Sequence, residues 1–194
     1  EKFIKKINSK ESVIGKIVKL SQNKYEIFSF GHRNPQGLFY DEENDLVFET
    51  EHGPTGGDEI NLIKKGNHYG WPLASYGSRI DGLNMLRNHK KNGYSEPLKY
   101  WWPVNCGISE ITKIDDEFNK NWGNYTLLNA CLSGSGANQG YSIYRWKYDL
   151  RKEKLIKKNQ YHIGDRIRDL KYSAKFKTIL LMLEDQKSIG LIFK

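Results

Sequence analysis

Short runs of β-branched and aromatic residues, bounded by Gly, Asn and Asp, recur along nearly the whole chain, and no long stretch carries a helical period. Runs of that length and composition read as strands joined by turns, so the fold class is all-β. The spacing predicts strands at 13–20, 25–30, 37–41, 45–49, 59–64, 98–102, 107–114, 124–129, 141–148 and 154–163, with further strands at 167–172, 178–183 and 188–193. Aligned by their turns, 37–65, 107–147 and 167–194 repeat one unit of strand, polar turn, strand, loop and strand. Stacked sheets at such intervals are the pattern of β-propeller blades, each burying its faces against its neighbours. Roughly three blades plus two leading strands fit, whereas propellers close with about four or more. The chain is therefore expected either to form part of a larger propeller or to associate with another chain.

Composition narrows the function classes. With 12 Tyr, 8 Phe and 5 Trp among 194 residues, the chain has ample apolar material for a packed core. The formal charge of +8 comes from Lys residues scattered in ones and twos, which suits a solvated surface better than a nucleic-acid patch. Cys106 and Cys131 stand 25 positions apart, in no metal-ligand spacing, which leaves a single bridge open. No apolar run reaches the ~20 residues of a membrane span. The first residue is Glu1, with no leader ahead of it, which reads as a processed or fragmentary start. The Lys-rich segment 1–10 reads as a frayed end, and 67–97 as an ordered excursion over one face.

Two segments concentrate the chemistry. Gly31-His32-Arg33-Asn34-Pro35-Gln36-Gly37 sets a guanidinium and an amide ahead of a proline that imposes an extended or turn backbone, an arrangement suited to a planar polyanion. A turn in which Arg33 and Asn34 cap local carbonyls fits the same spacing. Glu51-His52-Gly53-Pro54-Thr55-Gly56-Gly57-Asp58-Glu59 gathers backbone carbonyls together with the carboxylates of Asp58 and Glu59, an oxygen-rich set appropriate to calcium or to a solvated turn. Tyr100-Trp101-Trp102 reads as inter-blade core or as a sugar-stacking platform. The 133–140 stretch, rich in Ser and Gly, lacks the ending of a phosphate-binding loop.

Residues 31–77, with Trp101-Trp102-Pro103 and Arg166-Ile167-Arg168-Asp169 downstream, resemble the signature of the soluble pyrroloquinoline quinone (PQQ) dependent glucose/sorbosone dehydrogenases, the aldose sugar dehydrogenases. The resemblance runs from about residue 13 onward. It implies a six-bladed propeller that oxidises an aldose at its anomeric carbon, with PQQ as hydride acceptor and Ca²⁺ bridging cofactor and protein. Residues 31–77 would be the signature blade with the cofactor and calcium loops, and 78–97 a long surface loop, within one partial propeller domain over 1–194. Arg33, Asn34, Arg166 and Arg168 fall at cofactor-contacting positions. Gly53 and Pro54 would lend carbonyls to the cofactor calcium, while Glu59, Tyr69 and Asp58 fall in a separate structural calcium region. The family's general-base histidine would lie upstream of residue 1, so no catalytic residue is expected here. Ser133 stands where the family has a cofactor-contacting lysine.

The resemblance also implies a small-molecule sugar substrate, an unspecified electron acceptor and a periplasmic or secreted location, with self-association or upstream blades covering the open flanks. The alternative is a non-catalytic carbohydrate- or protein-binding propeller module, or a truncated inactive homologue.

Overall fold

The computed structural model describes residue 9 and residues 11–78, 85–135 and 138–194. The expectations for the Lys-rich start, for 79–84 of the long loop and for 136–137 lie outside these residues. Among the described residues thirteen strands form, close to the ranges the sequence predicts: β1 Lys16–Ser21, β2 Lys24–Phe30, β3 Pro35–Asp41, β4 Leu46–Glu51, β5 Glu59–Ile63, β6 Lys99–Tyr100, β7 Ile108–Ile114, β8 Thr126–Cys131, β9 Ser142–Asp149, β10 Lys154–His162, β11 Ile167–Ser173, β12 Thr178–Leu183 and β13 Ser188–Phe193.

The strands pair as antiparallel meanders in chain order: β1-β2, β3-β4-β5-β6, β7-β8-β9-β10 and β11-β12-β13. β7 packs against β3 and β4 on one side and against β11 on the other. The leading strands of successive sheets thus lie side by side, which is the arrangement of propeller blades. Two units gain a fourth strand over the three-strand repeat read from the sequence, namely the two-residue β6 and the nine-residue β10.

One turn device recurs around the fold. Asp45, Tyr125, Tyr141, Glu153, Lys177 and Lys187 all have positive φ, and each immediately precedes a strand, respectively β4, β8, β9, β10, β12 and β13. A left-handed residue there turns the chain back into register in hairpins whose loops exceed two residues.

The core divides by blade interface. Phe48, Ile60 and Leu62 of one sheet pack against Ile108, Ile111, Leu127, Tyr144, Trp146 and Tyr148 of the next. Ile114, Leu128, Ala130 and Ile143 turn the opposite way, onto Ile167, Leu170, Ile179 and Leu181. Every residue of β8 is buried, because the strand carries apolar side chains to both interfaces. Trp101 belongs to the first cluster, as the core reading of the aromatic triplet expects, whereas Tyr100 and Trp102 are exposed. Cys106 and Cys131 form the single bridge, joining the residues just before β7 to the end of β8.

Two straps close the ends of the first interface. At one end the Asp58 carboxylate accepts backbone N–H groups from Cys106 (3.2 Å), Gly107 (2.8 Å) and Ile108 (3.1 Å) on one oxygen, and from Gly53 (3.2 Å) on the other. At the other end Asp41, buried, accepts from Lys113 Nζ at 3.1 Å, from Asn44 Nδ2 at 2.8 Å and from the Tyr125 hydroxyl. Burial pushes the Asp41 carboxyl up, but those hydrogen bonds outweigh it and hold the group below the usual carboxylate range.

Candidate functional site

The loop from Gly31 to Asn34 links β2 to β3, and two other segments fix it. Gly31 has φ +74°, and a Cβ there would sit 2.3 Å from His68 Nδ1 and 2.9 Å from the Gly70 nitrogen, so glycine lets the 67–70 segment close over the loop. Trp71 N–H donates to the Gly31 carbonyl and Tyr69 N–H to Phe30. The end of β4 fixes the other side. Glu51 Oε2 accepts the backbone N–H of Arg33 at 2.6 Å and of Asn34 at 3.3 Å, and His52 N–H donates to the Asn34 carbonyl.

The Arg33 side chain is held as firmly as its backbone. Its Nη1 donates to the His52 carbonyl at 3.0 Å, and the guanidinium lies 5.3 Å from the centre of the Trp71 ring. Burial lowers its pKa, opposed by the charges of Glu51 and Asp58. Asn34 differs, since it is exposed and its side-chain oxygen accepts from Gln36 Nε2 at 3.2 Å. His52 spans two blades through Nε2 and the Ile108 carbonyl, 2.5 Å apart.

The Gly53–Gly57 turn follows. Gly57 has φ +75°, and a Cβ there would lie 2.2 Å from the Gly77 nitrogen, so backbone meets backbone across this loop. Gly53 and Pro54 are half-buried, and among the described residues their carbonyls accept no backbone hydrogen bond. Two free carbonyls beside a fixed turn are donors of the kind a hard cation takes. Arg33, Glu51, His52, Gly53, Glu59 and Tyr69 line one small cleft at this point.

The three residues expected in a structural calcium region are differently disposed. Both Asp58 oxygens are occupied by the backbone donors described above. The buried Tyr69 hydroxyl donates to the Leu62 carbonyl at 2.7 Å and accepts from Lys64 N–H at 2.9 Å, and burial pushes its pKa up to about 12. Glu59 faces the cleft and is buried, and one of its oxygens lies 3.4 Å from Asn61 Nδ2. Burial first, and the charge of Glu51 next, push its carboxyl well above the usual range.

Arg166 and Arg168 form a second cationic group at the start of β11. Arg166 Nε (2.9 Å) and Arg168 Nη2 (3.1 Å) converge on the carboxylate of Glu184, and Arg166 Nη1 donates to Ser133 Oγ at 2.8 Å. Hydrogen bonds from both arginines lower the pKa of Glu184. Ser133, where a lysine would add a charge, instead orients one of the two guanidinium groups.

Sequence reasoning passed over Glu51, although this residue organises the first loop, and over Glu49 beside it. A signal was present. Glu49 and Glu51 are two apart on β4, Glu59 and Asn61 two apart on β5, and the register sets Glu49 opposite Asn61 and Glu51 opposite Glu59. Period-two spacing in both strands puts all four on one face.

Comparison with known proteins bears on the family and the fold. The family model described as glucose / sorbosone dehydrogenase matches residues 5–192. Aldose sugar dehydrogenase YliI of Escherichia coli is 41% identical over 86 residues, which is 43% of this chain and 23% of that protein. Quinoprotein glucose dehydrogenase B of Acinetobacter calcoaceticus is 54% identical over 51 residues, 26% of this chain and 10% of that one. A crystal structure of a glucose dehydrogenase superposes with a TM-score of 0.79 at 27% identity, covering 98% of this chain and 56% of the other. The chain spans about a third or less of the curated relatives it matches and about half of the solved ones.

Proposed function

Because the chain belongs to the glucose/sorbosone dehydrogenase family, we propose that it forms the cofactor-holding part of a propeller that oxidises an aldose at its anomeric carbon, with PQQ and Ca²⁺. The observation that carries this reading is the convergence of two guanidinium groups, Arg166 and Arg168, on a single carboxylate. A pair already arranged to grip one carboxylate suits a small quinone that bears several, since guanidinium forks match carboxylate geometry. The residues present therefore fit the group. The quinone, when bound, supplies the acceptor for the hydride that leaves the sugar.

In this reading Arg33 offers a third cation whose position costs little to maintain, because the His52 carbonyl and Trp71 already fix it. Asn34 adds an amide at the rim. Gly53 and Pro54 hold the cofactor calcium through their carbonyls. For a structural calcium, Glu59 suits the role better than Asp58, whose oxygens hold the strand β7 in place. The Tyr69 hydroxyl is likewise engaged, which leaves its main-chain carbonyl as the group to offer. The functional loops sit within 31–77, and the expected surface loop 78–97 follows them in the chain. The sugar enters from the side these loops face, and a periplasmic or secreted setting supplies calcium and quinone. No residue described here is assigned as the base.

One observation favours the alternative of a non-catalytic propeller module: Glu184 already engages both arginines and offsets one of their two charges, and Ser133 adds no charge beside them. Calorimetric titration of the chain with PQQ, with and without Ca²⁺, decides between the two. Calcium-dependent binding is expected, weakened about tenfold or more in Arg168→Ala, the loss of one charged hydrogen bond, at an unchanged melting temperature. A folded, monodisperse chain that binds no quinone with calcium present overturns the dehydrogenase reading in favour of the module.

A further inference from the structure

The face of the β3–β6 sheet turned toward the β1–β2 hairpin carries a group of side chains that neither the arginines nor the calcium loops use. His32, Glu49 and Glu51 are all buried, and their ligand atoms lie within 4.8 Å of one another. Their hydrogen bonding is incomplete. Among the described residues, Glu49 Oε1, Asn61 Oδ1 and His32 Nδ1 have no hydrogen-bond partner, although all three residues are almost wholly buried. The Asn61 amide nitrogen is the donor at the centre, 3.1 Å from Glu49 Oε2, 3.3 Å from Glu51 Oε1 and 3.4 Å from Glu59 Oε2. Two amide protons cannot serve three carboxylates. Arg33, whose backbone Glu51 holds, spends its Nη1 on the His52 carbonyl, and its buried Nε makes no hydrogen bond to these carboxylates.

The histidine defines the deficit. Its Nε2 is 2.8 Å from Ser29 Oγ, and its Nδ1 is 3.6 Å from Glu51 Oε1, beyond hydrogen-bond length. With the proton on Nε2 and donated to Ser29, Nδ1 turns a lone pair toward carboxylate oxygens. Lone pairs facing one another in a dry interior are costly unless a cation lies between them. A ring nitrogen held by a polar partner while the other faces carboxylates is also the usual disposition of a metal-bound histidine.

We propose that His32 Nδ1, Glu49 and Glu51 bind a divalent first-row cation of the Zn²⁺ or Mn²⁺ class, with Ser29 as the partner that orients the imidazole. Calcium and magnesium take oxygen ligands, so the ring nitrogen selects against them. A cation bonded at about 2.1 Å spreads its ligand atoms over roughly 3 to 4 Å, so the group closes on the ion by small side-chain rotations. The ion ties the β2–β3 loop, through His32, to β4. Because Glu51 also holds the backbone of Arg33 and Asn34, it supports the first functional loop from beneath. The site shares no residue with Gly53, Pro54, Glu59, Tyr69 or Asp58.

The test uses the chelator-stripped chain, refolded with one equivalent of Mn²⁺ and an excess of Ca²⁺ to fill sites made only of oxygen. Electron spin-echo spectroscopy is expected to show one Mn²⁺ per chain, coupled to a directly bound imidazole nitrogen. That coupling disappears in His32→Gln, Glu49→Gln binds no Mn²⁺, and Ser29→Ala weakens binding by about tenfold. A folded wild-type chain without nitrogen-coupled Mn²⁺, or coupling that persists in His32→Gln, overturns the proposal. Should His32→Gln fail to fold, Glu49→Gln decides: loss of Mn²⁺ supports the site and unchanged binding refutes it.

Discussion

The two faces of the β3–β6 sheet are packed by opposite chemistry. On one face Phe48, Ile60 and Leu62 meet an aromatic and aliphatic wall, and the polar groups at its ends, Asp58 and Asp41, have donors on every side. On the other, Glu49, Glu51, Glu59 and Asn61 crowd beneath His32, with acceptors left over. One sheet thus joins a face that supplies stability to a face that gives some of it up. Incompletely satisfied buried polar groups are tolerated where a protein uses them, and this face directly underlies the loop that carries Arg33.

Adjacent residues of β4 offer the sharpest way to break this contrast. Phe48 points to the apolar face and is fully buried, whereas Val47 points to the other and is partly exposed. Phe48→Ala is expected to cost about 4 kcal/mol and Val47→Ala about 1 kcal/mol. Urea denaturation of the two variants measures both, and equal losses would erase the distinction between the faces.

Asp58→Ala comes next, at about 3 kcal/mol, because it strands the N–H groups of Cys106, Gly107 and Ile108, at the entry to β7, inside the protein. For a chain of this size that lowers the melting temperature by about 6 to 12 °C. A loss below about 1 kcal/mol would mean that water replaces the carboxylate and that the strap is ornamental.

The smallest effect lies at the opposite end. Asp41→Asn removes one charge from the Lys113 and Tyr125 contacts and is expected to cost about 1.5 kcal/mol near neutral pH. Since the folded pKa of Asp41 is depressed, its stabilisation is complete above the unfolded value of about 3.9 and fades as pH falls through the folded one. Wild type and variant should therefore begin to converge in stability below about pH 4 and meet only once pH has passed below the depressed folded pKa, as chemical denaturation across pH would show. A difference that persists there would assign the effect to hydrogen-bond geometry and not to charge.

The sequence by itself determined the strands and the family, because β-propensity, turn residues and contiguous motifs are local properties. Resemblance to the family, carried by its motifs, also implied Arg33, Gly53, Pro54, Arg166 and Arg168 as one set. The tertiary structure decided what these positions do to one another. Arg166 and Arg168 meet Glu184, which lies on another segment of the chain. Asp58, which by composition could serve a metal, is consumed by β7, 48 to 50 residues away. The buried quartet of Glu49, Glu51, Glu59 and Asn61 follows from cross-strand register and from the hairpin that closes over it. Pairing across strands depends on where the chain folds back, so its charges become a site only when distant segments exclude water from them.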